Sequence, residues 1–179
     1  MRFITVTLFK KKYRVESIRK WNWNYSAPAF YFVTICTKDK RLYFGQVANE
    51  LMRLSEIGSR ADACWKEIPS HHKNVELDEF IVMPNHMHGI IGISGPEPEF
   101  KLLSRAKKPL ASPAEGSLGV MIRSYKAAVS HWCKQHNLAF AWQSGYHDRI
   151  IRSPKGIGAI REYIRDNPKN WLEDEEYCS

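Results

Sequence analysis

Residues 80–93 read FIVMPNHMHGIIGI. An apolar run closes at a Pro-Asn turn signal, two histidines follow one residue apart, and the chain is apolar again at once. The segment otherwise reads as a buried strand. On a strand, residues two apart share a face, so His86 and His88 project together and Met87 points the other way. Two imidazoles side by side fill a core poorly and hold a divalent metal well. The spacing is short and common, however, and two hydrogen-bonded histidines at a strand start satisfy it equally.

The neighbouring segments supply a frame for that strand. AFYFVTICT (29–37) is aromatic and β-branched and reads as a strand. From Asn49 to Ile68, the residues Leu51, Leu54, Ile57, Ala61, Cys64 and Trp65 recur at helical spacing, and Pro69 ends the helix. NVELDEFIVMP (74–84) is a second strand, able to pair as a hairpin with HMHGIIGI. Residues 94–117 are rich in Pro, Ser and Lys without periodicity, a long loop. An amphipathic helix follows over 117–136, a strand with polar interruptions over 140–153, and a helix over 155–168 ended by Asn167-Pro168. This order is βαββαβ plus one helix. It predicts an α+β, ferredoxin-like fold with a mostly antiparallel sheet, helices on one face and a further C-terminal helix.

At 179 residues the chain suits one domain. Its net charge of +8 suits a polyanionic partner, nucleic acid first and a membrane surface second. Residues 1–20 form a basic arm, with Arg2, Lys10, Lys11, Lys12, Arg14, Arg19 and Lys20 against Glu16. FITVTLF is too short to span a membrane, and its basic residues follow it, the wrong order for a signal peptide. Cys36, Cys64, Cys133 and Cys178 form no CxxC pair, which disfavours a zinc knuckle and fits free thiols in a reducing cytoplasm. The tail LEDEEYCS (172–179) is acidic and reads as frayed.

A cation on His86 and His88 needs a third protein ligand. His71 and His72 precede the neighbouring strand, but adjacent strand residues point oppositely, so a three-histidine zinc site has weak support. On the last helix Tyr163 and Asn167 are four apart and share a face. An Asn oxygen is a hard ligand that suits Mg²⁺ or Mn²⁺, although Asn167 before a proline also fits a plain helix cap.

The blocks YFVTICTKDKRLYFG, NVELDEFIVMPNHMHGII, IRSYKAAVS, WQSGYHDRIIR and IREYIRDNP, in that order and spacing, resemble the REP-associated tyrosine transposases. These belong to the single-tyrosine HUH transposases of the IS-two-hundred-like type. The resemblance covers about Trp21 to Trp171 as a transposase domain; the basic arm, the acidic tail and most of the 94–116 variable loop lie outside it. It implies that His86 and His88 hold a divalent cation, Mg or Mn. It implies that Tyr163 attacks a phosphodiester of single-stranded DNA, leaving a 5′-phosphotyrosine and a free 3′-OH that can later rejoin strands. It assigns Asn167 the place of a third ligand that is often glutamine in relatives. Tyr125 in IRSYK is a rival nucleophile, set aside because the motif around Tyr163 matches this branch.

The partner implied is hairpin or palindromic single-stranded DNA, in the bacterial cytoplasm. Arg123, Lys126, Arg149, Arg152, Lys155, Arg161 and Arg165 are the candidate phosphate contacts, and aromatic side chains the stacking surfaces. Trp142, Gln143, Tyr146, His147 and Asp148 form a polar-aromatic cluster, with Trp142 read as packing. Monomer and homodimer both remain open, as do two other readings: a nickase of replication or conjugation, and a non-catalytic DNA-binding domain of the same fold.

Overall fold

The computed structural model describes residues 8–9, 13–14, 23–95, 116–174 and 176. The rest of the basic arm, residues 96–115 of the long loop and the end of the acidic tail lie outside the described residues. Two short strands, β1 (Leu8–Phe9) and β2 (Tyr13–Arg14), pair antiparallel. The main strand of the first block is β3 (Ala29–Cys36), on which Tyr31, Val33 and Ile35 are fully buried on one face. Phe32 and Thr34 alternate with them onto the other face.

A hairpin of β4 (Gly45–Ala48) and β5 (Leu51–Leu54) comes next. The expected helix over Asn49–Ile68 is therefore shorter than its spacing suggests. Asn49 and Glu50 take positive φ of 54° and 60°, the left-handed pair that a two-residue hairpin turn requires. Leu51 and Leu54 sit exposed on the hairpin instead of facing the core. Helix α1 (Glu56–Lys66) begins only at Ser55, whose Oγ accepts from Gly58 N at 3.0 Å. A single turn, α2 (Ile68–His71), leads to β6 (Val75–Val82), which turns at Pro84-Asn85 into β7 (His86–Ile93). After the long loop come α3 (Leu118–Gln135), β8 (His147–Ile151) and α4 (Pro154–Asp166). The strand expected over 140–153 is confined to β8, with Trp142 making an isolated bridge to Thr37.

The sheet order is β6-β7-β3-β8, antiparallel throughout, the ferredoxin-like arrangement. Helices α1 and α3 cover one face. Ile57, Ala61 and Trp65 from α1, and Met121, Ile122, Tyr125 and Val129 from α3, pack there against Tyr31, Val33, Met87 and Ile91. Helix α4 lies over the opposite face, where Tyr163 meets Phe32 edge to face at 6.1 Å. The covering of both faces explains why every residue of β7 is buried.

Two local features set this geometry. Gly89 of β7 faces Trp65, and a Cβ built there lies 2.4 Å from the indole Cζ2, so the indole packs directly against strand backbone. In β6 the register slips between Leu77, opposite Ile91, and Phe80, opposite Gly89. Asp78 and Glu79 thus share the place opposite Ile90, a β-bulge. Among the described residues no helix is long and apolar enough to cross a membrane.

Gly89→Ala should force Trp65 out of its position. A loss of about 1–3 kcal/mol in denaturant unfolding is expected from overpacking, and an unchanged midpoint would show that the indole has room to move.

Candidate active site

His88 stands opposite Thr34 on β3, and Thr34 stands opposite His147 on β8. One row across the sheet therefore carries His88, Thr34 and His147 on the face beneath α4. His86 is two residues before His88, at the closed end of the hairpin. The two imidazole centroids lie 4.5 Å apart, as the period of a strand demands.

Each ring is held by its Nδ1. His86 Nδ1 meets Asn85 Oδ1 at 2.9 Å. An amide oxygen only accepts, so His86 Nδ1 carries the hydrogen and Nε2 keeps its lone pair. The amide of Asn85 is oriented in turn, because its Nδ2 donates to the Glu176 carbonyl at 2.7 Å and more weakly to that of Lys40 at 3.3 Å. His88 Nδ1 is 2.9 Å from Thr34 Oγ1, which leaves its Nε2 facing Tyr163 Oη at 3.2 Å. Fixing Nδ1 so that Nε2 points into a site is how histidine ligands are commonly oriented.

Helix α4 brings the other groups. Ser153 caps it, accepting from Gly156 N at 3.2 Å. Ile157, Ile160 and Ile164 form the stripe toward the sheet, with Ile164 fully buried. Tyr163 is 46% exposed, which leaves its hydroxyl reachable from solution. Asn167, one turn on, is buried, and its Nδ2 donates to Asp174 Oδ2 at 2.7 Å. The hydroxyl of Tyr163 is 3.4 Å from the same oxygen. Asp174 follows a short 3-10 turn, Trp171–Glu173, that folds the chain back over His86 with Trp171 at 5.9 Å between ring centroids.

For its described residues this corrects the reading of the tail as frayed. Leu172–Asp174 and Glu176 are the described part of it, and Asp174 stands in the site. Asp174 is a residue that the sequence reading missed; its local sequence, Leu-Glu-Asp-Glu, carries no ligand spacing.

Single potential ligand atoms of His86, His88 and Asp174 lie within 4.8 Å of one another. His86 Nε2 and Asn167 Oδ1 are both buried without a hydrogen-bond partner among the described residues. Buried polar atoms are ordinarily satisfied. Two neutral imidazoles, a carboxylate and an amide oxygen fit a divalent cation with nitrogen and hard oxygen preferences. Burial holds both histidines in that neutral form. It drives the pKa of His86 down to about 4, against the opposing pull of the Asp174 and Glu176 charges and the nearby Asn167 amide. It drives that of His88 well below the usual value, with the His86 charge acting in the same direction.

A cleft of about 630 Å³ opens over this site, lined among others by Phe32, Thr34, His88, His147, Arg149 and Tyr163. The candidate phosphate contacts separate around it. Arg149 lines the cleft, and Arg149 and Arg152 line a smaller hollow of about 320 Å³ at the start of α4. Lys155 is exposed on the first turn of that helix and Arg123 on α3. Lys126 is turned inward, donating to the carbonyls of Gln143 at 2.7 Å and Gly145 at 2.8 Å, with Trp142 beneath it. Arg161 and Arg165 pair with Asp78 and Glu79 of β6.

Tyr125 is on the opposite side of the sheet, buried edge-on against Trp65 at 5.2 Å, and burial raises its pKa well above normal. His71 and His72 precede β6, whose first residue Val75 pairs with Ile93, the far end of the strand from His86. They do not join the site. Trp142 packs among Phe44, Tyr125 and Phe140, as expected for it.

No family model matches the chain. A Haemophilus influenzae protein, described as uncharacterized, is 38% identical over 166 residues, spanning 90% of this chain and 92% of that protein. Among solved structures, a REP-associated tyrosine transposase bound to a REP hairpin superposes with a TM-score of 0.59. That match has 18% identity and covers 86% of this chain and 74% of the other.

The lowered pKa of His86 gives a pH signature to the metal-free protein. The unfolded imidazole takes a proton below about 6.5, while the folded one stays neutral down to about 4. Stability is thus complete above pH 6.5 and is lost as pH falls toward 4, by up to about 1.4 kcal/mol per pH unit from this group. Denaturant unfolding of wild type and His86→Gln across that range should show the difference shrinking toward acid; parallel curves would contradict the assignment.

Proposed function

For a chain that belongs to one family with the Haemophilus influenzae protein and has the fold of the REP-associated tyrosine transposase, we propose a transposase-type DNA enzyme. In this reading it cleaves and rejoins single-stranded hairpin DNA, with Tyr163 as nucleophile and a divalent cation as cofactor. The observation that carries the reading is the meeting of an exposed phenol with a buried histidine pair, Tyr163 Oη at 3.2 Å from His88 Nε2.

His86, His88 and Asp174 would hold the cation, with Asn167 Oδ1 as a further oxygen donor beside them. Bound there, a Mg²⁺ or Mn²⁺ ion supplies neutralisation of the scissile phosphate and orients it for in-line attack. The chain's own residues do the remainder. Asn85 and Thr34 keep the two Nε2 lone pairs aimed into the site. A tyrosine of ordinary pKa near 10 is about one part in a thousand phenolate at pH 7, a deficit of roughly 4 kcal/mol. The Tyr163 hydroxyl lies 3.2 Å from His88 Nε2 and 3.4 Å from Asp174 Oδ2. With the single lone pair of His88 Nε2 given to the cation, the Asp174 carboxylate, which has a second oxygen, is the group left to take the phenolic proton. Attack of the phenolic oxygen on phosphorus forms the 5′-phosphotyrosine as the bond to the 3′ oxygen breaks. The 3′ oxygen leaves as a hydroxyl, taking up the proton that the phenol released, and the covalent link keeps the phosphodiester energy for rejoining.

The DNA strand would enter along the cleft past His147 and Arg149, with Arg152 and Lys155 at the start of α4 for flanking phosphates. Such contacts make affinity fall steeply with salt. The comparison structure carries a REP hairpin, which supports the choice of a folded single strand over duplex. The place of action that goes with this reading, through the resemblance to the transposase family, is the bacterial cytoplasm.

Tyr163→Phe should keep the fold and DNA affinity and lose all covalent protein–DNA complex on denaturing gels, whereas Tyr125→Phe should at most lose stability. A 3′-end label, on the fragment whose 5′ phosphate is joined to the tyrosine, should travel with the protein, and a 5′-end label should stay on the released 3′-OH strand. An adduct that survives Tyr163→Phe, or one that forms equally in EDTA, would overturn the nucleophile or the cation respectively. Stable hairpin binding without any adduct in wild type would favour the non-catalytic reading. For the site itself, His86→Ala and Asp174→Asn should each weaken Mn²⁺ binding in calorimetry, by about 10–100-fold for a lost or misoriented ligand.

A further inference from the structure

The roll of α4 about its own axis decides where the Tyr163 hydroxyl lies. At 100° per residue, three faces of that helix have distinct partners. The stripe Ile157, Ile160, Ile164 looks down on the sheet. Tyr163 and Asn167 lie to one side of it, toward His88 and Asp174. Arg161 and Arg165 lie to the other side, toward β6. An isoleucine stripe on a pleated surface resists lifting but resists rolling poorly, because dispersion contacts are non-directional.

The arginines meet a matching pair of carboxylates. Arg161 donates through Nε to Asp78 Oδ1 at 2.8 Å and through Nη2 to Asp78 Oδ2 at 2.6 Å, a bidentate fork. One turn on, Arg165 Nη1 is 3.6 Å from Glu79 Oε2. Asp78 and Glu79 are successive residues, and on a regular strand they would point to opposite faces. The bulge between Leu77 and Phe80 removes that alternation. The Glu79 N–H, freed from the ladder, donates to Asp78 Oδ1 at 2.7 Å and orients that carboxylate. The Asp78 carboxyl is held below the usual range, chiefly by its hydrogen bond to Arg161.

We propose that Asp78 and Glu79, acting through Arg161 and Arg165, are positioning residues that fix the roll of α4 and so place Tyr163 at the histidine pair. The two arginines are then struts of the site, not phosphate contacts. The inference rests on Tyr163 being the nucleophile. A roll of roughly 10° moves an atom at the side-chain radius by about 1 Å, and a misplacement of that size is enough to slow a positioned reaction severely.

The test uses the full chain with Asp78→Asn, Arg161→Gln and the exchanged pair Asp78→Arg/Arg161→Asp. Three readouts are needed: the single-turnover rate of adduct formation at saturating hairpin DNA, DNA affinity with its salt slope, and deuterium exchange over residues 157–166 without DNA. Both single variants should lose about tenfold or more in rate. They should bind DNA within about twofold of wild type with the same salt slope, and exchange faster in α4 alone. The exchanged pair should regain rate and protection together. A weakened affinity with a shallower salt slope in Arg161→Gln, at an undiminished saturating rate, would make Arg161 a phosphate contact and overturn the proposal. So would unchanged α4 exchange in Asp78→Asn. If wild type forms no adduct with any hairpin, the strand-transfer reading falls, while the exchange data still decide whether Asp78 holds the helix.

Discussion

The arrangement depends on the pleat of one strand buried on both faces. β7 gives Met87, Gly89 and Ile91 to the core under α1 and α3, and gives His86 and His88 to the face under α4. A slip of one residue would exchange the two sets, setting imidazoles against Trp65 and a methionine beneath Tyr163. The contact of Trp65 with Gly89 guards against that slip, because only a residue without a side chain admits the indole there. Core packing on one side thus holds the register on which the polar chemistry of the other side relies.

Burial also sets the protonation state of the site. Protonated imidazoles side by side would repel each other and any cation. Desolvation keeps both neutral, at a cost in stability whenever the pH is low enough to charge them in the unfolded chain. The chain as a whole is basic, yet the groups folded against the histidines from the last turn are the acids Asp174 and Glu176. Positive charge remains at the cleft in Arg149 and in the smaller hollow at the start of α4 in Arg152, where a polyanion would approach. The centre carries donor atoms that could hold a divalent cation.

The histidine pair and the Tyr163–Asn167 pair were legible because each follows a local period, two for a strand and four for a helix. The order of elements was legible for the same reason. Thr34 and Asn85 were not, since their roles depend on cross-strand register and on an amide fixed by the chain at Glu176. Asp174 was read as part of a frayed tail because nothing in its neighbours signals that a 3-10 turn returns it to the sheet. Leu51 and Leu54 matched a helical spacing by coincidence; the left-handed Asn49-Glu50 turn overrode it. Arg161 and Arg165 looked like free basic charges, because their acidic partners lie 83 and 86 residues earlier on the bulged strand.

The distance along the chain between His88 and Tyr163 has a consequence for biosynthesis. The two side chains that meet at 3.2 Å are 75 residues apart in sequence. A growing polypeptide therefore displays the histidine pair well before Tyr163 exists, and Asp174 comes later still; α4 can dock only after β8 has closed the sheet. Long-range contacts of this kind form late in folding. A site assembled from such contacts is complete only once the whole domain has locked into place.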